Sequence, residues 1–255
     1  FLRPLGLRLV KYDFGYEIDP VWEAGNKNIP GIYIEFKEPW LNPKGFEQIV
    51  YDVLANTQDM NIIEKPEPED TPFYINNGTI NVGNTNGKVI LQTFSLESLV
   101  RVAEVFQGKV PMCFLLWKGT GATDLTYDDP LGYASFINLG VKYKAHFIGP
   151  CIAGAPNDYP ELDQPWQDYL IHRAKMKNHP YTFDTYDQMA KYFGQYNFGV
   201  ADGMFNPPYL DALFTNHSDM SINYMITHGW RKSPASQTLV DAREVLRKLG
   251  YLDNN

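Results

Sequence analysis

The stretch Gly31-Ile32-Tyr33-Ile34-Glu35-Phe36-Lys37-Glu38-Pro39, GIYIEFKEP, decides how the chain is read. Side chains alternate along a strand, so Ile32, Ile34 and Phe36 share one face while Tyr33, Glu35 and Lys37 share the other. A carboxylate and an ammonium two residues apart on one face allow two readings. One is a half-exposed edge strand with both charges in water. The other is a strand whose charged face lines a functional cavity, and the segments that follow decide between them.

An amphipathic helix comes next, with Phe46, Ile49, Val50, Val53 and Leu54 at spacings of three and four. Residues 62–87 interrupt the rhythm: an acidic, proline-rich EKPEPED is followed by FYINNGTINVG, whose Asn77-Gly78 is a two-residue hairpin turn. This piece reads as an inserted loop and hairpin within one domain, 1–255. The rhythm resumes at KVILQTF (88–94), with Ser95 as helix cap and Leu96, Leu99, Val100, Ala103 and Phe106 on one face. Short apolar runs recur at PMCFLLW (111–117), YKAHFIGP (143–150), HPYTF (179–183) and DALFTN (211–216). Helical patterns fall at 165–178, at 184–194 with Asp184 as cap and Tyr186, Met189, Ala190 and Phe193 inward, and from Asp219. A last one carries Leu239, Ala242, Leu246 and Leu249.

Buried strands alternating with helices imply right-handed βαβ units and a parallel sheet, here with six strands counted from GIYIEFKEP. Two architectures fit: an open doubly wound sheet, or a (β/α)₈ TIM barrel whose first one or two units lie outside this numbering. No glycine-rich phosphate loop follows a strand, so the main signature of the nucleotide-binding open sheets is missing.

Composition narrows the partners. The 255 residues are 44% hydrophobic, enough for one large core. A formal charge of −8 opposes a grip on a nucleic-acid backbone, and small molecules or proteins are the expected partners. No run of about 18 apolar residues exists, so no transmembrane segment is expected. Acceptor triplets at Asn77-Gly78-Thr79 and Asn216-His217-Ser218 point to a secreted glycoprotein. Cys113 lies one step into its strand and Cys151 beyond the end of the next; parallel neighbours would hold them on the order of 16 Å apart, so two free thiols are expected.

In a barrel, functional groups gather at the carboxyl ends of the strands. Glu35 and Lys37 end the first visible strand, Gln92 and Phe94 the second, and Trp117 the third; His179 and Tyr181 share a face of the fifth. Glu35 is a candidate ligand for a hard cation and Lys37 for an anionic group, the alternative being an ion pair in the barrel mouth. Packing with one hydrogen bond is the alternative for Gln92 and Trp117, and helix capping for His179. His146 reads as a satisfied, partly buried histidine; His172, His217 and His228 receive no role.

IYIEFK, ILQTFSLESL, the Gly149-Pro150 strand end, HPYTF and DALFTNHSD, in this order, resemble the glycerophosphodiester phosphodiesterase family over about 29–225. The resemblance implies a TIM barrel and metal-assisted hydrolysis of glycerophosphodiesters to an alcohol and glycerol phosphate, hence a hydrolase of lipid metabolism. It implies that Glu35 helps hold Mg²⁺ or Ca²⁺ and that Lys37 lies by the phosphate as the catalytic cation. Gln92, Phe94, Trp117, His179 and Tyr181 would then contact substrate.

The departures bear on activity. The family carries His-Arg-Gly, a Glu-x-Asp metal pair and a second histidine on its first two strands, its histidines moving protons. None is matched here: His172-Arg173-Ala174 lies on a mid-chain helix, and Glu17-Ile18-Asp19 stands too close upstream of Glu35. A barrel short of two strands would leave open edges. An N-terminal segment, residues 1–30 or a partner chain is therefore expected to complete it. The alternative is a catalytically inactive relative that binds or assembles.

Overall fold

A computed structural model describes residues 32–37, 41–56, 89–108, 110–117, 129–195 and 210–228. The 62–87 insertion with Asn77, residues 1–30 and the helix expected around Leu239–Leu249 lie outside them. The chain divides into two units, Ile34–Arg231 and Phe1–Tyr33 with Lys232–Asn255; the elements below belong to the first, which β1 enters at Ile34.

Strands and helices alternate: β1 (Ile32–Glu35), α1 (Phe46–Ala55), β2 (Val89–Thr93), α2 (Leu96–Phe106), β3 (Met112–Leu116), α3 (Pro130–Lys142), β4 (Phe147–Pro150), α4 (Pro165–Arg173), β5 (Lys177–Asn178), α5 (Tyr186–Ala190), which runs on as a π turn, and α6 (Ser218–Thr227). Among the described residues, five strands form one parallel sheet in the order β1-β2-β3-β4-β5. The fold is thus α/β, with each strand beside its sequence neighbour as βαβ connections require.

Register fixes which side chains share a face. Leu91 pairs with Met112, Cys113 with Phe147 and Phe147 with Lys177. The Phe36 N–H donates to the Gln92 carbonyl at 2.8 Å, which by the same ladder geometry sets Glu35 beside Gln92 and Lys37 beside Phe94. Phe36 and Phe114 point to the helices. Phe36 meets Phe46 of α1 edge-on at 6.1 Å, and Phe114 stacks on Phe136 of α3 at 4.2 Å. The alternate residues, Glu35, Lys37, Gln92, Phe94, Cys113, Leu115 and Trp117, occupy the opposite face.

The helix layer differs from the periodicity in instructive places. In α1 the buried residues are Glu47 and Leu54, whereas Ile49 and Val53 are 55% and 44% exposed. Glu47 is tolerated inside because Arg101 of α2 stands 3.7 Å away. Ser95 caps α2 as expected, its hydroxyl accepting from the Ser98 N–H. Asp184 does not cap α5. Thr185 does, in a capping box with Gln188, and the Asp184 carboxylate instead accepts from the Asn216 N–H and side-chain amide at 2.9 and 3.0 Å. Tyr186 and Ala190 face solvent while Met189 and Phe193 are buried. Helix α3 is not among the helices expected from periodicity, although Asp129 accepts from the Leu131 and Gly132 N–H groups ahead of Pro130.

The fifth and sixth expected strands are irregular. HPYTF continues past β5 with one bridge, Tyr181 to Cys151. DALFTN is not a regular strand, yet the Ala212 and Phe214 N–H groups donate to Asn178 and Pro180 carbonyls, so it lies along the sheet edge. Behind it, Ile152, Phe183, Met189, Tyr192, Phe193, Leu210 and Tyr224 form a buried apolar cluster that fixes α5 and α6. Cys113 and Cys151 are both buried and neither is in a disulfide, as expected.

Close packing of the inner face makes Gly149 obligatory: a Cβ there would stand 2.6 Å from a Leu115 methyl, 2.9 Å from the Cys113 sulfur and 3.0 Å from the His179 carbonyl oxygen. Gly149→Ala should lower unfolding free energy by about 1–3 kcal/mol in urea melts; an unchanged midpoint would contradict this packing.

Candidate functional site

The carboxyl ends of β1, β2 and β3 bring together the residues that the sequence singles out. The Glu35 and Lys37 side chains approach to 3.5 Å, with Lys37 71% exposed and Glu35 20%. Lys37 meets water while Glu35 is drawn into the sheet. Burial raises the Glu35 carboxyl above the ordinary range, and the Lys37 ammonium opposes that rise without cancelling it.

An aromatic group stands beside this pair. Phe94 meets Trp117 at 5.9 Å and Tyr181 at 5.6 Å, both edge-on, and Tyr159 meets Tyr181 at 6.0 Å. The Tyr181 hydroxyl donates to the Leu116 carbonyl at 3.0 Å, which pins the ring across the strand ends. The Cys151 thiol donates to the Pro160 carbonyl, and burial pushes it up to about 12, so it stays a neutral thiol.

Three polar atoms in this region are shielded from solvent and have no hydrogen-bond partner among the described residues: Glu35 Oε1, Gln92 Oε1 and Trp117 Nε1. The Lys37 ammonium at 3.5 Å is an ion-pair neighbour of Glu35 Oε1, too distant for a good hydrogen bond. A buried polar atom without a hydrogen bond costs free energy; the same condition holds at Glu47 Oε1, Ser98 Oγ, Asn178 Oδ1 and Ser221 Oγ, and what distinguishes the three here is that they lie on adjacent strands on one face.

The histidines stand apart from this group. His179 is buried, stacks on Phe147 at 4.0 Å, and is lowered by burial to about 4 against the pull of Asp211. His146 is more deeply buried than its sequence suggests; its Nδ1 accepts from the Met112 N–H and burial lowers it to about 3. Both are neutral at pH 7. Asn216 is exposed and its side chain is engaged with Asp184.

A divalent ion requires several hard oxygen ligands. Among the described residues no three His, Cys, Asp or Glu side chains gather in a metal-binding group, and the Lys37 ammonium already faces Glu35. These residues do not by themselves fit a resident metal ion.

A second polar cluster, with no signal in the sequence, ties the sheet edge together. His172 bridges Asp168 (3.1 Å) and Asp211 (2.7 Å), and Asp211 also accepts from Lys177 and the Asn178 N–H, each at 2.8 Å. The Asn178 amide donates to both Asp163 and Asp168. Three acidic side chains face His172 and Lys177, and burial, followed by the neighbouring Asp168, raises the Asp163 carboxyl well above the usual range. Burial pushes His172 down, but Asp168 and Asp211 outweigh it and carry it up to about 10.

A group raised in the folded state stabilises fully below its unfolded pKa and loses that contribution as pH rises through the folded value. The urea midpoint should therefore fall between about pH 6.5 and 10, and Asp211→Asn should flatten that fall. A pH-independent midpoint across this window, or an unchanged slope in the variant, would contradict the assignment.

Comparison with protein-family models and with curated proteins finds no match to the chain. Among the described residues no helix is long and apolar enough to cross a membrane.

Proposed function

We propose that the chain is a barrel of the glycerophosphodiester phosphodiesterase kind, secreted and glycosylated, whose carboxyl-end face binds a phosphodiester and hydrolyses it to an alcohol and glycerol phosphate. The five strands would occupy consecutive positions of a (β/α)₈ ring, with residues 211–216 next in order and the remaining units supplied from outside the described residues or by a partner. One observation supports this reading above others: Glu35, Lys37, Gln92, Phe94 and Trp117 share one face at the carboxyl ends of three adjacent parallel strands, the placement a barrel gives its functional groups.

In this reading the exposed Lys37 ammonium meets the phosphoryl oxygens and offsets the charge that grows as water attacks phosphorus. The Phe94, Trp117 and Tyr181 rings wall the side of the site and exclude water from it. Proton transfer to the leaving alkoxide needs a titratable group at the mouth. His146 and His179 are buried and neutral, and His172 is locked between two carboxylates, so none of the three fills the role of the family's histidines.

That last observation favours a second reading, a barrel that binds phosphodiesters without cleaving them. Glycerophosphocholine with Mg²⁺ or Ca²⁺, added to the full natural protein, separates the two. Release of glycerol phosphate, lowered about tenfold in Lys37→Ala, is the expected outcome; the modest factor reflects screening of an exposed charge. Binding that depends on Lys37 with no release with either ion would establish the second reading. Neither binding nor release would overturn both.

A further inference from the structure

Helices α3 and α4 end in the same way. At α3 the Lys144 N–H donates to the Val141 carbonyl at 3.1 Å and the Ala145 N–H to the Gly140 carbonyl at 2.8 Å. At α4 the Lys175 N–H donates to the His172 carbonyl at 3.0 Å and the Met176 N–H to the Ile171 carbonyl at 3.2 Å. Both are Schellman motifs, in which the residue after the cap takes the left-handed conformation and is usually glycine. Here it is lysine both times, Lys144 with φ 59° and Lys175 with φ 63°. Another cation stands two residues before each, so the motifs read Lys142-Tyr143-Lys144 and Arg173-Ala174-Lys175.

The sheet sets these two turns side by side. Strands β4 and β5 are parallel neighbours, Phe147 pairing with Lys177, so the turns that feed them lie together at the amino ends of the strands, away from the carboxyl ends that carry Glu35 and Lys37. They also approach closely: a Cβ built on Gly140 would stand 3.4 Å from the Met176 methyl. Lys142, Arg173 and Lys175 are exposed and Lys144 is half-buried. Among the described residues none of the four is in an ion pair. Neither 138–146 nor 169–178 contains an Asp or Glu, and the remaining cation, Lys177, is held by Asp211. A chain of formal charge −8 thus gathers four cations at one edge.

Folding does not require this pattern. Lys142 and Arg173 complement the negative ends of their helices, but glycine would suit the left-handed positions better than lysine does. Keeping charge there at a cost in stability is the mark of a functional surface. The repeat describes the partner. Two cation pairs separated by one helix spacing, roughly 8–10 Å, match a chain that carries anionic groups at intervals. A flat anionic bilayer would also bring the acidic remainder of the surface into its field. Single-stranded nucleic acid needs open aromatic faces for its bases, and Tyr143 is half-buried with the Lys142 ammonium over its ring at 5.1 Å.

We propose that the turns joining α3 to β4 and α4 to β5 form a second binding surface, for a linear sulfated polysaccharide, with Lys142, Lys144, Arg173 and Lys175 meeting its sulfates. Such a partner lies outside the cell and accords with the secreted reading. The surface is separate from the strand-end site and stands whether or not that site cleaves phosphodiesters.

Calorimetric titration of the full natural protein tests this with four probes: heparin, hyaluronan, which bears carboxylates alone, duplex DNA, and phosphatidylserine vesicles. Saturable heparin binding that weakens as salt rises is expected, with far weaker binding of the other three. Lys144→Gly and Lys175→Gly should each weaken heparin binding about fivefold, the effect of one cation beside an anionic surface. Both should also raise the urea midpoint, so the lost binding cannot be ascribed to a damaged fold. Lys44→Ala removes the same charge from an exposed position between β1 and α1 and should leave heparin affinity unchanged. No binding of heparin, equal binding of any other probe, or an equal loss in Lys44→Ala overturns the proposal. A urea midpoint lowered by either glycine contradicts the left-handed geometry from which it starts.

Discussion

The register of a parallel ladder is the constraint on which the rest depends. One backbone hydrogen bond, from the Phe36 N–H to the Gln92 carbonyl, sets β1 against β2 so that Phe36 and Thr93 turn to the helices while Glu35 and Gln92 turn the other way. The Thr93 hydroxyl reinforces it by donating to the Phe36 carbonyl at 2.8 Å. A slip of one residue would send Glu35 and Lys37 into the apolar layer beneath α1 and bring Phe36 to the mouth. Burying an unpaired carboxylate there costs several kcal/mol, so the charge pattern and the register enforce one another.

Two polar clusters serve different parts of the sheet. Around Asp211 the ionised groups are paired, and the result is a fastening: α4, β5 and the 211–214 segment are held at the sheet edge although that segment forms no regular strand. At the carboxyl ends of β1 to β3 three shielded atoms, Glu35 Oε1, Gln92 Oε1 and Trp117 Nε1, have no hydrogen-bond partner among the described residues. The edge cluster is not fully satisfied either, since Asn178 Oδ1 is buried there without a hydrogen bond among the described residues; what sets it apart is the number of its charged groups that meet a partner directly.

Much of the fold was legible because it rests on local rules. Alternation in GIYIEFKEP, the apolar runs at KVILQTF and PMCFLLW, the Gly149-Pro150 end of β4 and the Ser95 cap all report short-range geometry. What escaped depends on residues far apart in sequence. The face that α1 buries turns on Glu47 meeting Arg101, and no periodicity anticipates a carboxylate inside. The His172 bridge joins residues 168 and 211, so a histidine given no role proved to hold the edge. Helix α3 was within reach: Asp129-Pro130 followed by Tyr133, Phe136, Ile137 and Gly140 is a capped amphipathic pattern. In the site, alternation placed Glu35, Lys37, Gln92, Phe94 and Trp117 on one face, but which of their atoms lack hydrogen bonds is a property of packing alone.

The central claim is that Glu35 and Gln92 stand side by side on the same face. Paired cysteines test it most directly, because a disulfide forms only when the two α-carbons lie roughly 4.4–6.8 Å apart with their side chains converging. Because Gln92 pairs in register with Cys113, the pairs are made in a Cys113→Ala background: Glu35→Cys with Gln92→Cys should cross-link rapidly on mild oxidation, whereas Phe36→Cys with Gln92→Cys, its side chains on opposite faces, should not; the native Cys151 is buried. Cross-linking of the 36–92 pair in place of the 35–92 pair would contradict the register and the account built on it.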